Sequence, residues 1–95
     1  MIRPNISVII PLYNKEKSIR RTIESLQKQT FQSFEIVIVN DGSTDNSVEI
    51  VNRIDDDRIR LINQDNAGPG AARNTGVKNA QAEWIVFLDA DDELL

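Results

Sequence analysis

Cysteine and histidine are both missing from the 95 residues of this sequence. Their absence excludes disulfide bonds, zinc centres, haem ligation and catalysis by a Ser–His or Cys–His pair within these residues. A metal ion bound here would therefore need oxygen ligands, which are the ligands that magnesium and manganese prefer.

Basic residues are in the minority. Fifteen acidic residues against eleven basic ones give a net charge of −4. This balance argues against a protein that holds nucleic acid or an anionic membrane through a basic face, so we expect no nucleic-acid partner.

Long apolar runs are absent as well. The apolar run nearest the start of the sequence, residues 6–10, ends at Pro11 and is too short for a signal peptide or a membrane span. We therefore expect a cytoplasmic protein. The length fits a single domain over residues 1–95.

Four short apolar runs alternate with stretches of helical spacing. We predict strands over residues 6–10, 34–39, 58–63 and 84–88, where apolar and β-branched residues concentrate. We predict helices over about residues 15–30 and 71–82, the first of them capped by Asn14. A helix between these two would be capped by Ser43 or Thr44 and would bury Val48, Val51 and Ile54. This alternation is typical of an α/β fold, a parallel sheet with helices on both faces.

Three of the predicted strands end in polar loops. The loops are residues 11–14 (PLYN), 40–45 (NDGSTD) and 89–92 (DADD). Because parallel strands put their carboxyl ends at one edge of the sheet, we expect the three loops to lie together, where such sheets bind ligands.

The acidic loop is the first candidate site. Asp89 and Asp91 are two residues apart, so in extended backbone their side chains leave the same face. Their mutual repulsion would be relieved by a divalent cation, magnesium or manganese, shared with a substrate phosphate. The alternative is a solvated acidic segment. An EF-hand is excluded because Leu94 stands where its loop needs glycine.

The other loops offer partners for a nucleotide. Asp41, at the end of the second strand, could accept hydrogen bonds from a ribose or a base, or serve only the turn that follows it. Tyr13 could stack on a base or simply pack in its loop. Arg73 could hold an anion or form a surface ion pair. The glycine fingerprint of a dinucleotide site is missing after the first strand, which argues against NAD.

Four motifs together resemble a known family. They are residues 8–14 (VIIPLYN), 39–45 (VNDGSTD), 66–76 (NAGPGAARNTG) and 87–92 (FLDADD). In this order and spacing they look like the N-terminal half of a family 2 glycosyltransferase with the GT-A fold. The resemblance covers the whole chain and implies a Rossmann-like sheet of strand order 3-2-1-4.

The resemblance also implies a function and a set of site residues. Such enzymes transfer a sugar from a nucleotide-diphosphate donor, usually with uracil, to an acceptor with inversion at the anomeric carbon. Manganese or magnesium would bridge the diphosphate. The matching positions are Pro11 and Tyr13 around the base, Asp41 on the base, Asn66 and Arg73 at the nucleotide, and the Asp-X-Asp pair Asp89 and Asp91.

The family's catalytic base lies downstream of the Asp-X-Asp motif, and the sequence stops at Leu95. We therefore assign no catalytic residue here and expect a truncated donor-binding portion, inactive alone. The acceptor, a sugar or a lipid-linked sugar, would bind elsewhere, and the full protein would work in polysaccharide synthesis, in the cytoplasm or peripherally at the inner membrane face.

Two other functions fit the residues less well. A non-catalytic module that binds a nucleotide or a metal for regulation or assembly is the main alternative. A phosphoryl-accepting receiver domain would need an acidic pair after the first strand, where Pro11 and Leu12 stand. In the expected strand order, the last strand is an apolar edge through which the chain would self-associate.

Overall fold

The computed structural model of the protein describes residues 3–94, in which four strands alternate with three helices. The strands are β1 (Ile6–Leu12), β2 (Phe34–Asp41), β3 (Ile59–Gln64) and β4 (Trp84–Phe87). The helices are α1 (Ile19–Gln27), α2 (Ser47–Asn52) and α3 (Pro69–Asn79). All paired strands are parallel, and their order is β3-β2-β1-β4. The predicted α/β fold and its strand order are confirmed.

The centre of the sheet is covered on both faces. All eight residues of β2 are buried, which explains why its sequence is almost continuously apolar. One face packs against α1 and α2 in a cluster that includes Val8, Ile10, Ile19, Ile23 and Val51. Burying each such side chain contributes roughly 1.5–3 kcal/mol.

The other face is covered by α3, which lies close to the sheet because small residues face it. Ala72 is buried with Ile9, Val37 and Val39. A Cβ atom at Gly76 would lie 2.3 Å from Cγ2 of Ile9, closer than carbon atoms can approach. The small residues of α3 therefore set how near this helix lies to the strands.

The first and third helices begin elsewhere than predicted. Helix α1 starts at Ile19, because Lys15 to Ser18 form a turn in which the N–H groups of Ser18 and Ile19 both donate to the carbonyl of Lys15. Helix α3 starts at Pro69, whose missing N–H is tolerated in the first turn, and it ends at Asn79.

The capping predictions were wrong. Asn14 does not cap α1; its side chain accepts a hydrogen bond from the N–H of Thr44, 2.7 Å away. Helix α2 is capped neither by Ser43 nor by Thr44, because the carboxylate of Asp45 accepts the N–H and the hydroxyl of Ser47. A carboxylate at this position also suits the positive end of the helix dipole.

Strand β1 runs through Pro11 to Leu12, although proline is rare inside sheets. Ile9 points its carbonyl toward β4, where it accepts the N–H of Leu88. Pro11, two residues on, faces the same side, but β4 pairs with β1 only as far as Ile9. The proline therefore deprives no neighbouring strand of a hydrogen bond.

Strand β4 is an edge of the sheet with an apolar surface. Trp84 is 72% exposed, Phe87 50% and Val86 38%.

Among residues 3–94, no helix is long and apolar enough to cross a bilayer.

A buried carboxylate ties the amino-terminal end of the sheet together. Glu35 on β2 accepts hydrogen bonds from the hydroxyl of Ser7 (2.6 Å), the N–H of Gln81 (2.6 Å) and the guanidinium of Arg60 (2.8 Å). Burial alone would raise the pKa of Glu35, but these donors outweigh it and hold the pKa below its ordinary value.

We expect Glu35→Gln to lower the free energy of unfolding by about 2 kcal/mol, because an amide group cannot accept all these donors. The pKa of Glu35 falls on folding, so its stabilisation is present above pH 4.5 and is lost as the pH falls through the lower folded-state value. Urea denaturation between pH 3 and 7 measures both effects. Glu49→Gln, which removes an exposed i,i+4 ion pair with Arg53, is the control and should cost less than about 0.5 kcal/mol. Equal losses in the two variants would contradict the role of Glu35.

Candidate functional site

The carboxyl ends of β1, β2 and β4 surround one cleft of about 500 Å³. All seven residues singled out from the sequence line it: Pro11, Tyr13, Asp41, Asn66, Arg73, Asp89 and Asp91. The cleft is also lined by Lys15, Gly68, Pro69 and Ala72. The chain thus brings together, at one edge of the sheet, residues up to 80 positions apart in sequence.

Asp41 stabilises the wall of the cleft that is formed by the loop before α3. It is only 3% exposed, and its Oδ1 accepts the amide of Gln64 at 2.9 Å and the N–H of Ala67 at 2.8 Å. Its Oδ2 accepts the N–H of Gly68 at 2.9 Å. Asp41 therefore stabilises the local loop, as one of the two interpretations predicted, and it also lines the cleft.

Hydrogen bonding keeps Asp41 ionised. Burial by itself would raise the pKa of Asp41, but the donors from Gln64, Ala67 and Gly68 lower it below its ordinary value. The cleft therefore holds a fixed negative charge at its inner end near neutral pH.

The turn after Asp41 requires glycine. Gly42 has φ +76°, and a Cβ atom there would lie 2.9 Å from the backbone nitrogen of Asn66. The amide of Asn66 in turn donates to the carbonyl of Asp41 at 2.9 Å. The absence of a side chain at position 42 lets the loop that carries Asn66 pack directly on the end of β2.

The loop after β1 is latched to the loop after β2. Asn14, whose φ is +50°, accepts hydrogen bonds on Oδ1 from the N–H groups of Thr44 and Asp45, and its own N–H donates to Ser43. The N–H of Lys15 donates to the hydroxyl of Ser47 at 2.9 Å. These bonds fix the backbone that follows Tyr13, which is 48% exposed at the cleft.

Three carboxylates lie close together after β4, and two of them, Asp89 and Asp91, line the cleft. Asp89, Asp91 and Asp92 place one oxygen atom each within 4.8 Å of the others, and all three residues are exposed. Two cationic side chains neighbour them: Lys15 lies 3.3 Å from Asp91, and Arg73 lies 3.9 Å from Asp89. These contacts offset part of the repulsion among the carboxylates.

Sequence reasoning missed Lys15 and Asp92 as members of this site. Asp92 belongs to the same acidic run, which was the signal for it. The argument from extended backbone, however, placed only residues two apart on the same face and so omitted Asp92. Asp92 joins because the backbone turns there, with its N–H donating to the carbonyl of Asp89 at 3.0 Å. Lys15 lies 76 positions from Asp91, so no local pattern could pair them.

The acidic cluster fits a divalent cation by its chemistry. It offers only carboxylate oxygens, the hard ligands that magnesium and manganese favour, and it has room beside it in the cleft for the phosphates that usually complete their coordination.

The model of the family described as glycosyl transferase family 2 matches residues 7–95. The chain belongs to this family. The suspected resemblance is therefore confirmed for nearly the whole sequence.

Relatives with similar sequences are named as glycosyltransferases. The chain is 50% identical over 91 residues to YibD of Escherichia coli, which covers 94% of this chain and 26% of that protein. It is 46% identical over 94 residues to GlyA of Streptococcus pneumoniae, covering 97% of the chain and 14% of GlyA. The chain thus spans about a quarter or less of the length of these two family members.

Solved structures of GT-A glycosyltransferases share the fold. S. aureus TarS 1–349 in complex with UDP-GlcNAc superimposes with a TM-score of 0.88 at 39% identity, over 94% of this chain and 28% of that one. The mannosyltransferase PcManGT of Pyrobaculum calidifontis, in complex with GDP-Man and Mn2+, has a TM-score of 0.88 at 29% identity, over 98% of this chain and 29% of that one.

We expect Asp41→Asn to loosen the loop over residues 66–68, because an amide nitrogen would face N–H donors where a carboxylate oxygen accepted them. The loss should be about 1–3 kcal/mol in unfolding free energy. Amide hydrogen exchange at Ala67 and Gly68 measures the local effect. Asp65→Asn, at an exposed position of the same loop, is the control. Unchanged exchange in Asp41→Asn would show that the loop does not depend on this carboxylate.

Proposed function

We propose that this chain is the donor-binding part of an inverting glycosyltransferase that transfers a sugar from a nucleotide-diphosphate sugar. The observation that carries the proposal is a single cleft lined by both Asp41 and the acidic cluster of Asp89 and Asp91. It thereby offers an acceptor for a base and carboxylates for a phosphate-bound cation. The similar TarS was solved with UDP-GlcNAc and with UDP, which supports a nucleotide-sugar ligand.

Pro11 and Tyr13 would line the base pocket, and Asp41 would accept a hydrogen bond from the base. A carboxylate has about four acceptor sites. Three are filled by the short hydrogen bonds of Gln64, Ala67 and Gly68, and the fourth meets only a long 3.4 Å contact from Asn66. One weakly occupied site favours a base that presents a single N–H, such as uracil, over guanine with its adjacent donors.

Asp89 and Asp91 would hold manganese or magnesium, with Asp92 beside them. When bound, the cation would stabilise the negative charge that develops on the departing nucleoside diphosphate. Arg73 and Lys15 already border the acidic cluster, so their positive charges would lie near the diphosphate and orient it. Asn66 would contact the nucleotide at the other wall of the cleft.

The remaining parts of the proposal rest on the family resemblance. The acceptor, a sugar or a lipid-linked sugar, would bind to parts of the protein outside these residues, which would also supply the catalytic base. The full enzyme would act in glycan or polysaccharide synthesis, in the cytoplasm or at the inner face of the membrane.

We expect UDP to bind the chain only when Mn2+ or Mg2+ is present, because the diphosphate alone would meet three carboxylates. Calorimetric titration with Mn2+ and then with EDTA measures this dependence. A panel of UDP, dTDP, CDP and GDP should rank the two bases with a single N–H first. UDP binding that is unchanged by EDTA would refute the proposal. So would a folded chain that binds none of the four nucleotides.

The substitution Asp91→Asn tests the cation site independently of the rest of the cleft. It should weaken Mn2+-dependent UDP binding by about tenfold or more, as loss of a metal contact does. Asp57→Asn makes the same chemical change at an exposed position before β3 and outside the cleft, so it is the matched control.

We also propose that two copies of this chain pair along β4. No strand within residues 3–94 pairs with its outer edge, which also carries exposed Trp84 and Phe87, and this is the arrangement that recruits another strand. Val86→Lys should therefore leave the chain monomeric at concentrations where the unmodified chain associates, measured by light scattering. Val77→Lys, at a similarly exposed position on α3, should not change association. A monomeric unmodified chain at high concentration would overturn this proposal.

A further inference from the structure

Helix α1 carries a row of polar side chains directed at the segment that follows β4. Ser18, Thr22, Ser25 and Gln29 recur at helical spacing along one side of this helix and its ends. Each of them bonds the backbone of residues 90–94. The acidic loop is therefore attached to α1 through its backbone, and these bonds use none of the carboxylates of Asp89, Asp91 and Asp92.

Thr22 is the innermost member of this row. It is fully buried, and its hydroxyl lies 3.0 Å from the carbonyl oxygen of Ala90 and 2.6 Å from that of Asp92. The hydroxyl of Ser18 donates to the same Ala90 carbonyl at 2.9 Å. A hydroxyl has one hydrogen to donate, so Thr22 divides it between two carbonyls and draws them toward one point.

The two carbonyls belong to the residues on either side of Asp91. Fixing them sets the backbone torsions from which the side chains of Asp91 and Asp92 project. The carboxylates themselves repel one another and are exposed, so their mutual interaction would open the turn rather than close it. The hydrogen bond from Asp92 N–H to the Asp89 carbonyl and the bonds from α1 hold the turn closed.

Packing does not require a hydroxyl at position 22, which is buried but is not part of the apolar cluster. Its neighbours Ile19, Ile23 and Leu26 are buried in the apolar cluster, where valine, which matches threonine in shape, would pack as well. Threonine is also no better than valine as a helix former. The backbone carbonyls of the acidic loop account for the choice of a hydroxyl.

We propose that Thr22 is a positioning residue for the cation site: it holds Asp89, Asp91 and Asp92 at the spacing that a divalent cation and a nucleotide diphosphate need. This inference rests on the function proposed above. Thr22 itself touches neither the cation nor the nucleotide, because it lies beneath the loop.

Thr22→Val tests the inference in the intact chain. Mn2+ affinity, measured by electron paramagnetic resonance of free Mn2+, should weaken by about tenfold, the loss typical when a residue that orients metal ligands is removed. Thr22→Ser restores the hydroxyl and should restore the affinity to within about twofold. Ser25→Ala removes a neighbouring bond of α1 to Leu94, beyond the carboxylates, and should leave Mn2+ affinity unchanged whatever it does to the melting temperature.

The possible outcomes separate this inference from the function on which it rests. A folded Thr22→Val chain that binds Mn2+ as tightly as the unmodified chain overturns the inference alone. An unmodified chain that binds no Mn2+ overturns the proposed function and this inference with it. If Thr22→Val does not fold, Ser18→Ala decides: it removes the second donor to Ala90, and a two- to fivefold loss, of about 0.5–1 kcal/mol, supports the inference while no loss refutes it.

Discussion

The parallel pairing of β1 with β2, from Ile6 with Phe34 to Leu12 with Asn40, is the constraint on which the rest of the structure depends. It brings the ends of two central strands to the same height, so the loops that follow them meet and bond to each other through Asn14. The β4 pairing then adds the acidic loop at the same edge. The site is therefore a product of strand direction, and its residues need no long excursions to reach one another.

Electrostatics divides the cleft into two unlike walls. At Asp41 a negative charge is buried and surrounded by donors, so it is fixed in place and its pKa is lowered. At the acidic cluster the charges are exposed and close together, with Lys15 and Arg73 as partial compensation. The first wall is suited to recognising a hydrogen-bonding edge, and the second to accepting a cation.

Much of this arrangement was predictable from the sequence. The strands follow from β-branched runs, and Tyr13, Asp41, Asp89 and Asp91 follow from the polar loops after those runs, whereas Asn66 was predicted only from the family resemblance. What could not be predicted depends on contacts between distant residues. Asn14 has the position and chemistry of a helix cap, yet it bonds Thr44, 30 positions away. Thr22 falls within a helical pattern that suggests only packing, although its partner Ala90 is 68 positions away.

Helix α1 has a mechanical consequence for the cleft. The turn that precedes α1 continues the loop of Tyr13 and Lys15. Side chains of α1 form hydrogen bonds with the segment that carries the carboxylates. A small slide or tilt of this helix would therefore move the loop of Tyr13 and Lys15 and the acidic loop together. The placement of both loops thus depends on one helix, Ile19–Gln27, whose residues do not line the cleft.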